Sequence, residues 1–121
     1  MWRAAETNTH QDHVIAHVIG ASVLAYFVWD ETAYLQLDIG FIWNIYLDAE
    51  MGLMPEAAAL AEMNVEESLR RWEPVPFPSP IESVELFEDD NARRLVLNCE
   101  ESTISLETSF LTREIRVEYK E

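Results

Sequence analysis

The chain has 121 residues, and its 49% hydrophobic and 26% charged content is typical of one globular domain. Its 23 acidic and 8 basic residues give a net charge of −15, which repels phosphate backbones and anionic lipids and excludes conventional nucleic-acid binding. An acidic mimic of DNA is the nucleic-acid-related function that this charge leaves open. The single cysteine, Cys99, allows no disulfide within the chain and favours a reducing, cytoplasmic location.

The N-terminal part of the sequence predicts a short helix after a frayed start. Residues 1–8 are mostly polar and are expected to fray. Thr9 can cap a helix, Gly20 is placed to end it, and the apolar residues between them recur at helical spacing, which predicts a helix over residues 10–19. A strand is the alternative, because Val and Ile favour strands. The longest uncharged run, residues 14–29, is shorter than the roughly 20 residues of a spanning helix, so we expect no membrane insertion.

The stretch from 21 to 54 is densely apolar and aromatic, and it predicts a three-strand meander. Residues 22–29 are rich in Val, Tyr, Phe and Trp, which fit a pleated surface. Residues 33–37 are predicted as the strand that returns from a tight connection at residues 30–32, and residues 41–47 as the third strand. Apolar side chains fall on both faces of this meander, so both faces need to be covered, either by the rest of the chain or by a second copy.

Three aspartates, Asp30, Asp38 and Asp48, interrupt the apolar stretch at roughly even spacing. Each follows a run of strand length, which favours a position in a turn. The alternative is an aspartate buried in the meander, whose raised pKa would suit a general acid or base.

The second half of the chain predicts a helical segment, a linker and a second meander. Residues 55–72 have high helix propensity, with Pro55 suited to the first position and a break or second start at Asn64. Residues 73–80 hold four prolines and predict a stiff crossover. In residues 81–121 apolar and polar residues alternate with a period of two, which predicts four strands with one solvent-exposed face. The same alternation places Cys99 on the buried face.

Together these patterns predict a single mainly β, α+β domain over residues 1–121. An N-terminal helix and the first meander occupy residues 9–54, and the second meander follows the crossover. The two antiparallel meanders, of about three and four strands, are expected to pack as a sandwich or to join in one curved sheet.

The clearest metal-ligating candidates are His10, His13 and His17. On a helix their spacings of three and four place the imidazoles on one stripe, where they could share a divalent metal such as zinc. This pattern predicts a metal-binding protein or metal-dependent enzyme as one alternative function. The competing interpretation is a polar flank on an amphipathic helix.

The leading hypothesis is a small, acidic, non-enzymatic interaction or regulatory protein that homodimerises through the aromatic first meander or binds another protein there. No catalytic residue is assigned. A third hypothesis is a pocket for an apolar ligand, lined by Tyr26, Trp43 and Tyr46. Asn44 stands out because it lies mid-strand and needs a hydrogen-bond partner if it is buried. The candidate interface or pocket residues are Tyr26, Trp29, Tyr34, Trp43, Asn44 and Tyr46.

Overall fold

The computed structural model describes residues 1–62 and 71–121, which form two antiparallel sheets of five strands each and two helices. The second helical start predicted at Asn64 lies outside the described residues. No helix in the described ranges is long and apolar enough to cross a membrane. The helices are Thr9–Val18 (α1) and Glu56–Glu62 (α2). The strands are Arg3–Ala4 (β1), Val23–Trp29 (β2), Thr32–Leu37 (β3), Phe41–Tyr46 (β4), Met51–Pro55 (β5), Glu73–Pro74 (β6), Ile81–Asp89 (β7), Ala92–Cys99 (β8), Thr103–Ser109 (β9) and Glu114–Lys120 (β10).

The first sheet has the strand order β5-β4-β3-β2-β6 and contains the three predicted strands at its centre. Met51–Pro55 adds a fourth strand that the sequence did not predict, and Pro55 ends this strand rather than beginning a helix. Glu73–Pro74, inside the predicted crossover, adds a fifth by pairing with β2. Proline is tolerated in both strands because each lies at a sheet edge.

The second sheet has the order β1-β7-β8-β9-β10, and its four long strands are those predicted from the alternation. Within residues 1–8, which the sequence predicts to fray, Arg3–Ala4 forms a short strand that pairs with Glu88 and Phe87 of β7. The guanidinium of Arg94 lies 4.3 Å from the ring centre of Trp2 and adds a cation–π contact to this short strand.

Side chains from both sheets form one continuous buried cluster, as in a β-sandwich, rather than one curved sheet. The cluster also includes Val14 and Val18 of α1. The largest fully buried side chains come from both sheets and from α1: Trp43, Leu35, Leu37, Ile42, Ile45, Ile81, Leu95, Leu97, Ile104, Leu106, Val18 and Val23.

Helix α1 confirms the predicted N-terminal helix, with a different cap. Asn8 rather than Thr9 is the N-cap, and it forms a reciprocal capping box with Gln11. Gly20 follows the helix end in the left-handed region, at φ +88°. The helix packs against β5, and Gln11 donates a hydrogen bond at 3.2 Å to the carbonyl oxygen of Ala49 in the turn before β5. It thereby covers one edge of the first sheet.

Candidate functional site

The two faces of the first sheet carry different sets of aromatic residues. Strand register pairs Tyr26 with Leu35 and Trp43 with Leu35, so these three side chains share the face toward the second sheet, called here the inner face. Register pairs Tyr34 with Asn44, and these lie on the opposite, outer face. The six residues predicted as one interface therefore divide between the two faces.

On the inner face, Trp43 and Tyr26 belong to the core. Trp43 is fully buried, and its Nε1 has no hydrogen-bond partner in the described part of the chain. Tyr26 packs against the core cluster, where burial, and secondarily the charge of Glu73, raises the pKa of its hydroxyl. Since Tyr46 lies on the outer face, the predicted pocket of Tyr26, Trp43 and Tyr46 is not formed as one cavity.

The outer face is partly covered by the chain itself. Phe27 stacks on Tyr34 with ring centres 4.7 Å apart, and Trp72 meets Phe27 edge-on at 4.5 Å. Helix α2 packs over β4 and β5, and Gln36 donates a hydrogen bond to Glu56 at 2.9 Å. Both faces of the first meander were expected to need a covering layer, and much of this apolar surface is thus buried within one copy of the chain.

Asn44 is the most unusual polar residue of the outer face. It is only 5% exposed, and its Nδ2 lies 3.2 Å from the sulfur of Met54. Its Oδ1 has no hydrogen-bond partner among the described residues. A thioether is a weak acceptor, so the amide of Asn44 is poorly compensated for its burial.

Two aromatic side chains remain exposed at one end of the outer face. Trp29 is 51% and Tyr46 41% exposed, and each pairs in register with Thr32, which lies between them on β3. Neighbouring strands are about 4.8 Å apart, so the two residues are separated by about 10 Å across the sheet. We call Trp29, Thr32 and Tyr46 the aromatic end.

A concavity of about 340 Å³ adjoins the aromatic end, where turns of both sheets meet. Asp30 and Glu31 form the β2–β3 turn, Asp48 lies in the turn after β4, and Arg113 precedes β10. The lining residues are Asp30, Glu31, Thr32, Tyr46, Leu47, Asp48, Phe110 and Arg113. We call this the acidic concavity, because Arg113, the one basic residue among its described lining residues, is paired with Glu31.

The turns around the acidic concavity hold a conformation that is unfavourable for residues with a side chain. Asp30, Glu31 and Arg113 have φ of 49°, 62° and 55°, and Ala49 beside Asp48 has 69°. These are all the non-glycine residues with positive φ in the described ranges. Each costs free energy and persists only where neighbouring contacts hold it. The Glu31–Arg113 pair provides such a contact between two of these turns.

The three aspartates lie in exposed turns, as their spacing predicted. The Oδ1 atom of Asp38 accepts a hydrogen bond from the Ser22 backbone at 2.9 Å, and that of Asp48 accepts one from the Glu50 backbone at 3.1 Å. Asp30 lines the acidic concavity. None of them is a buried carboxyl of the kind that general acid–base chemistry favours.

The histidines lie on the exposed side of α1. The Nε2 atom of His10 is 3.0 Å from the carbonyl oxygen of Met51, a contact that turns this ring toward β5. Within the described ranges, no group of three His, Cys, Asp or Glu side chains is arranged to hold a metal ion. The structure therefore does not bring His10, His13 and His17 together as a metal site.

Sequence reasoning missed the contribution of the second sheet to this region. Phe110 and Arg113 come from the β9–β10 connection, far from the first meander in the chain. Cys99, by contrast, lies in the core as its alternation predicted, and burial raises the pKa of its thiol. No local pattern pairs Glu31 with Arg113, although two non-glycine residues between two strands do predict a strained two-residue turn.

Comparison with models of known protein families found no match, and searches of curated proteins and of solved structures found no similar protein.

Proposed function

We propose that this protein is an interaction protein that binds a basic segment of a partner protein at the aromatic end. The observation that carries the proposal is the exposure of Trp29 and Tyr46, at 51% and 41%, beside a concavity lined by Asp30 and Asp48. Neither aspartate forms an ion pair with another described residue. Aromatic side chains held on strands offer a large contact area at low cost in conformational entropy, and Trp and Tyr are enriched at binding hot spots.

The charge around the aromatic end favours a basic partner. Asp30 and Asp48 face the acidic concavity, and the Arg113 charge is balanced by Glu31. Burial raises the pKa of the Tyr34 hydroxyl and a hydrogen bond with Thr32 opposes this, while the nearby Tyr46 and then the carboxylates of Asp30 and Glu62 raise it further. These carboxylates create a local negative field on a chain of net charge −15, and such a field attracts Lys- and Arg-rich segments.

A second copy of the chain is a poorer occupant of this surface. The sequence predicted homodimerisation through the aromatic first meander, but most of that meander is buried within one copy. Two copies facing each other here would place Asp30 and Asp48 against the same carboxylates, which is unfavourable when the charges lose solvent. We therefore propose a different, basic chain at the aromatic end.

Selection of a phage-displayed library of short random peptides on the immobilised protein tests this proposal. Recovered peptides are expected to be enriched in Lys and Arg next to an aromatic or aliphatic residue. The dissociation constants of synthetic copies should rise at least about tenfold for Trp29→Ala and for Tyr46→Ala.

The matched control is Phe77→Ala, because Phe77 is 59% exposed but does not line the concavity. Its affinity for the same peptides should equal that of the unmodified protein, and binding should weaken with added salt. Failure to enrich basic peptides, or peptides that bind Trp29→Ala and the unmodified protein equally, would show that the aromatic end is not a binding surface for basic segments.

A further inference from the structure

The second sheet ends in a long edge strand, β10, and no strand in residues 1–62 or 71–121 pairs with its outward edge. The other sheet edges differ. Strands β1 and β6 are two residues long, and β5 is covered by α1, with His10 next to the carbonyl of Met51. Strand β10 has seven residues and presents a row of backbone donors and acceptors that another strand can use.

The solvent face of β10 carries charges of alternating sign. Glu114, Arg116, Glu118 and Lys120 are all exposed on this face, and none forms an ion pair with another described residue. The β9 residue opposite Arg116 is Glu107, which is already paired with Arg94 at 3.0 Å. The charges of β10 are therefore available to a neighbouring strand.

This charge order is complementary to itself when two copies of β10 run antiparallel about a twofold axis at Val117. In that register, Glu114 lies opposite Lys120 of the second copy, and Arg116 lies opposite Glu118 of the second copy. Symmetry repeats both pairs, so all eight charges meet an opposite charge. Opposite charges in directly facing positions stabilise a strand pair, and like charges destabilise it.

The neighbouring registers are much less favourable. With the axis at Arg116, that residue faces its own copy and Glu114 faces Glu118. With the axis at Glu118, Arg116 faces Lys120 and Glu118 faces itself. A slip by a single residue would place the solvent face of one copy beside the core face of the other.

The core face of β10 agrees with the same register. Ile115 is buried, and Val117 and Tyr119 are partly buried against the core cluster. With the axis at Val117, this residue meets its own copy, and Ile115 meets Tyr119. Apolar side chains would thus continue from one core to the next, while the charges pair on the other face.

From this geometry we infer that two copies of the chain associate through β10 in the Val117 register. The second sheet of one copy and the second sheet of the other, of five strands each, then form one continuous sheet. The interface is isologous, as most homodimer interfaces are. It is a different surface from the aromatic end, which would remain free in both copies and would be presented twice by the dimer.

Analytical ultracentrifugation of the full chain at micromolar concentrations tests the inference. The buffer contains about 150 mM salt, which screens the long-range repulsion between two acidic copies. We expect a monomer–dimer equilibrium. Arg116→Glu should raise its dissociation constant at least tenfold. Adding Glu118→Arg to that variant restores opposite charges in the Val117 register and should restore the dimer, at the net charge of the original chain.

A second measurement uses two variants that cannot pair with themselves. One carries Glu114→Lys with Glu118→Lys, and the other carries Arg116→Glu with Lys120→Glu. Each alone should be monomeric with a native circular dichroism spectrum, and an equimolar mixture should form a one-to-one dimer. A monomeric original chain would overturn the inference, as would a dimer that these variants leave intact or that only Trp29→Ala disrupts.

Discussion

The guanidinium of Arg113 donates two hydrogen bonds to the carboxylate of Glu31, with its Nη2 2.7 Å from Oε2. The pair links the β2–β3 turn of the first sheet to the β9–β10 connection of the second, across 82 positions of sequence. It also joins two residues whose φ is positive. The ends of the two sheets are thus held together beside the aromatic end by one bidentate ion pair.

Glu31→Gln should destabilise the protein at neutral pH and have no effect at acidic pH. The hydrogen bond from Arg113 is the largest cause and lowers the pKa of the Glu31 carboxyl; desolvation opposes it, and the charge of Arg113 adds a smaller lowering effect. A carboxyl with a lowered folded-state pKa adds stability above its unfolded pKa of about 4.3, and this contribution is lost as the pH falls through the folded value. Urea unfolding at pH 7 and at strongly acidic pH measures the difference.

The matched control for that substitution is Glu6→Gln, which removes an exposed carboxylate that forms no ion pair with a described residue. Its urea midpoint should equal that of the original chain at both pH values. The shift for Glu31→Gln should be smaller than the effect of any core truncation, because the pair is exposed to solvent. Equal shifts for the two variants at pH 7 would contradict a specific role for the ion pair.

Asn44→Val should raise the free energy of unfolding by about 1 kcal/mol, because it removes a buried amide whose oxygen has no described partner. Valine also suits a strand better than asparagine does. The control is Asn98→Val, since Asn98 donates hydrogen bonds to Ser83 and Glu85 and should not gain stability. A clear loss of stability in Asn44→Val, measured by urea unfolding, would mean that this amide is well satisfied in solution.

Alanine substitutions at two glycines should have opposite effects. Gly20 has a φ of +88°, and a Cβ there would contact nothing within 4 Å. Gly20→Ala should therefore lower the free energy of unfolding by about 1 kcal/mol, through backbone strain alone. A Cβ at Gly52 is equally unobstructed, and the φ of Gly52 is not positive. Gly52→Ala should therefore raise the free energy of unfolding by up to about 1 kcal/mol, because alanine restricts the conformations of the unfolded chain. Thermal or urea unfolding distinguishes the two, and a loss in both would contradict this explanation.

Much of the fold could be predicted from local patterns. Alternating residues predicted the four long strands of the second sheet. Aromatic and branched apolar residues predicted β2 and β4, and the turn after β2 predicted β3 as its returning strand. Strand β5 was missed because Met51–Pro55 has no β-branched residue and includes glycine and proline. Strands β1 and β6, of two residues each, depend on pairing with distant partners rather than on their own sequences.

The site was harder to predict because both faces of the first meander are apolar. Alternation separates Trp43 from Asn44, but it does not show which face meets the second sheet. A bulge between Val23 and Ala25 adds to the difficulty, because it places Val23 on the inner face and Phe27 on the outer face. The contact of Trp72 with Phe27 is made by the last residue of the predicted helical segment, and only the tertiary structure shows it.

Trp43 and Trp29 give the sharpest contrast between packing and binding. Trp43→Ala should lower the free energy of unfolding by about 3–5 kcal/mol, since a fully buried indole in the shared core leaves a cavity between the sheets. Trp29→Ala removes a side chain that is 51% exposed and should change stability by less than about 1 kcal/mol. Urea unfolding followed by circular dichroism compares both variants with the original chain. If Trp29→Ala were as destabilising as Trp43→Ala, Trp29 would be a packing residue, and its exposure could no longer support the proposed binding surface.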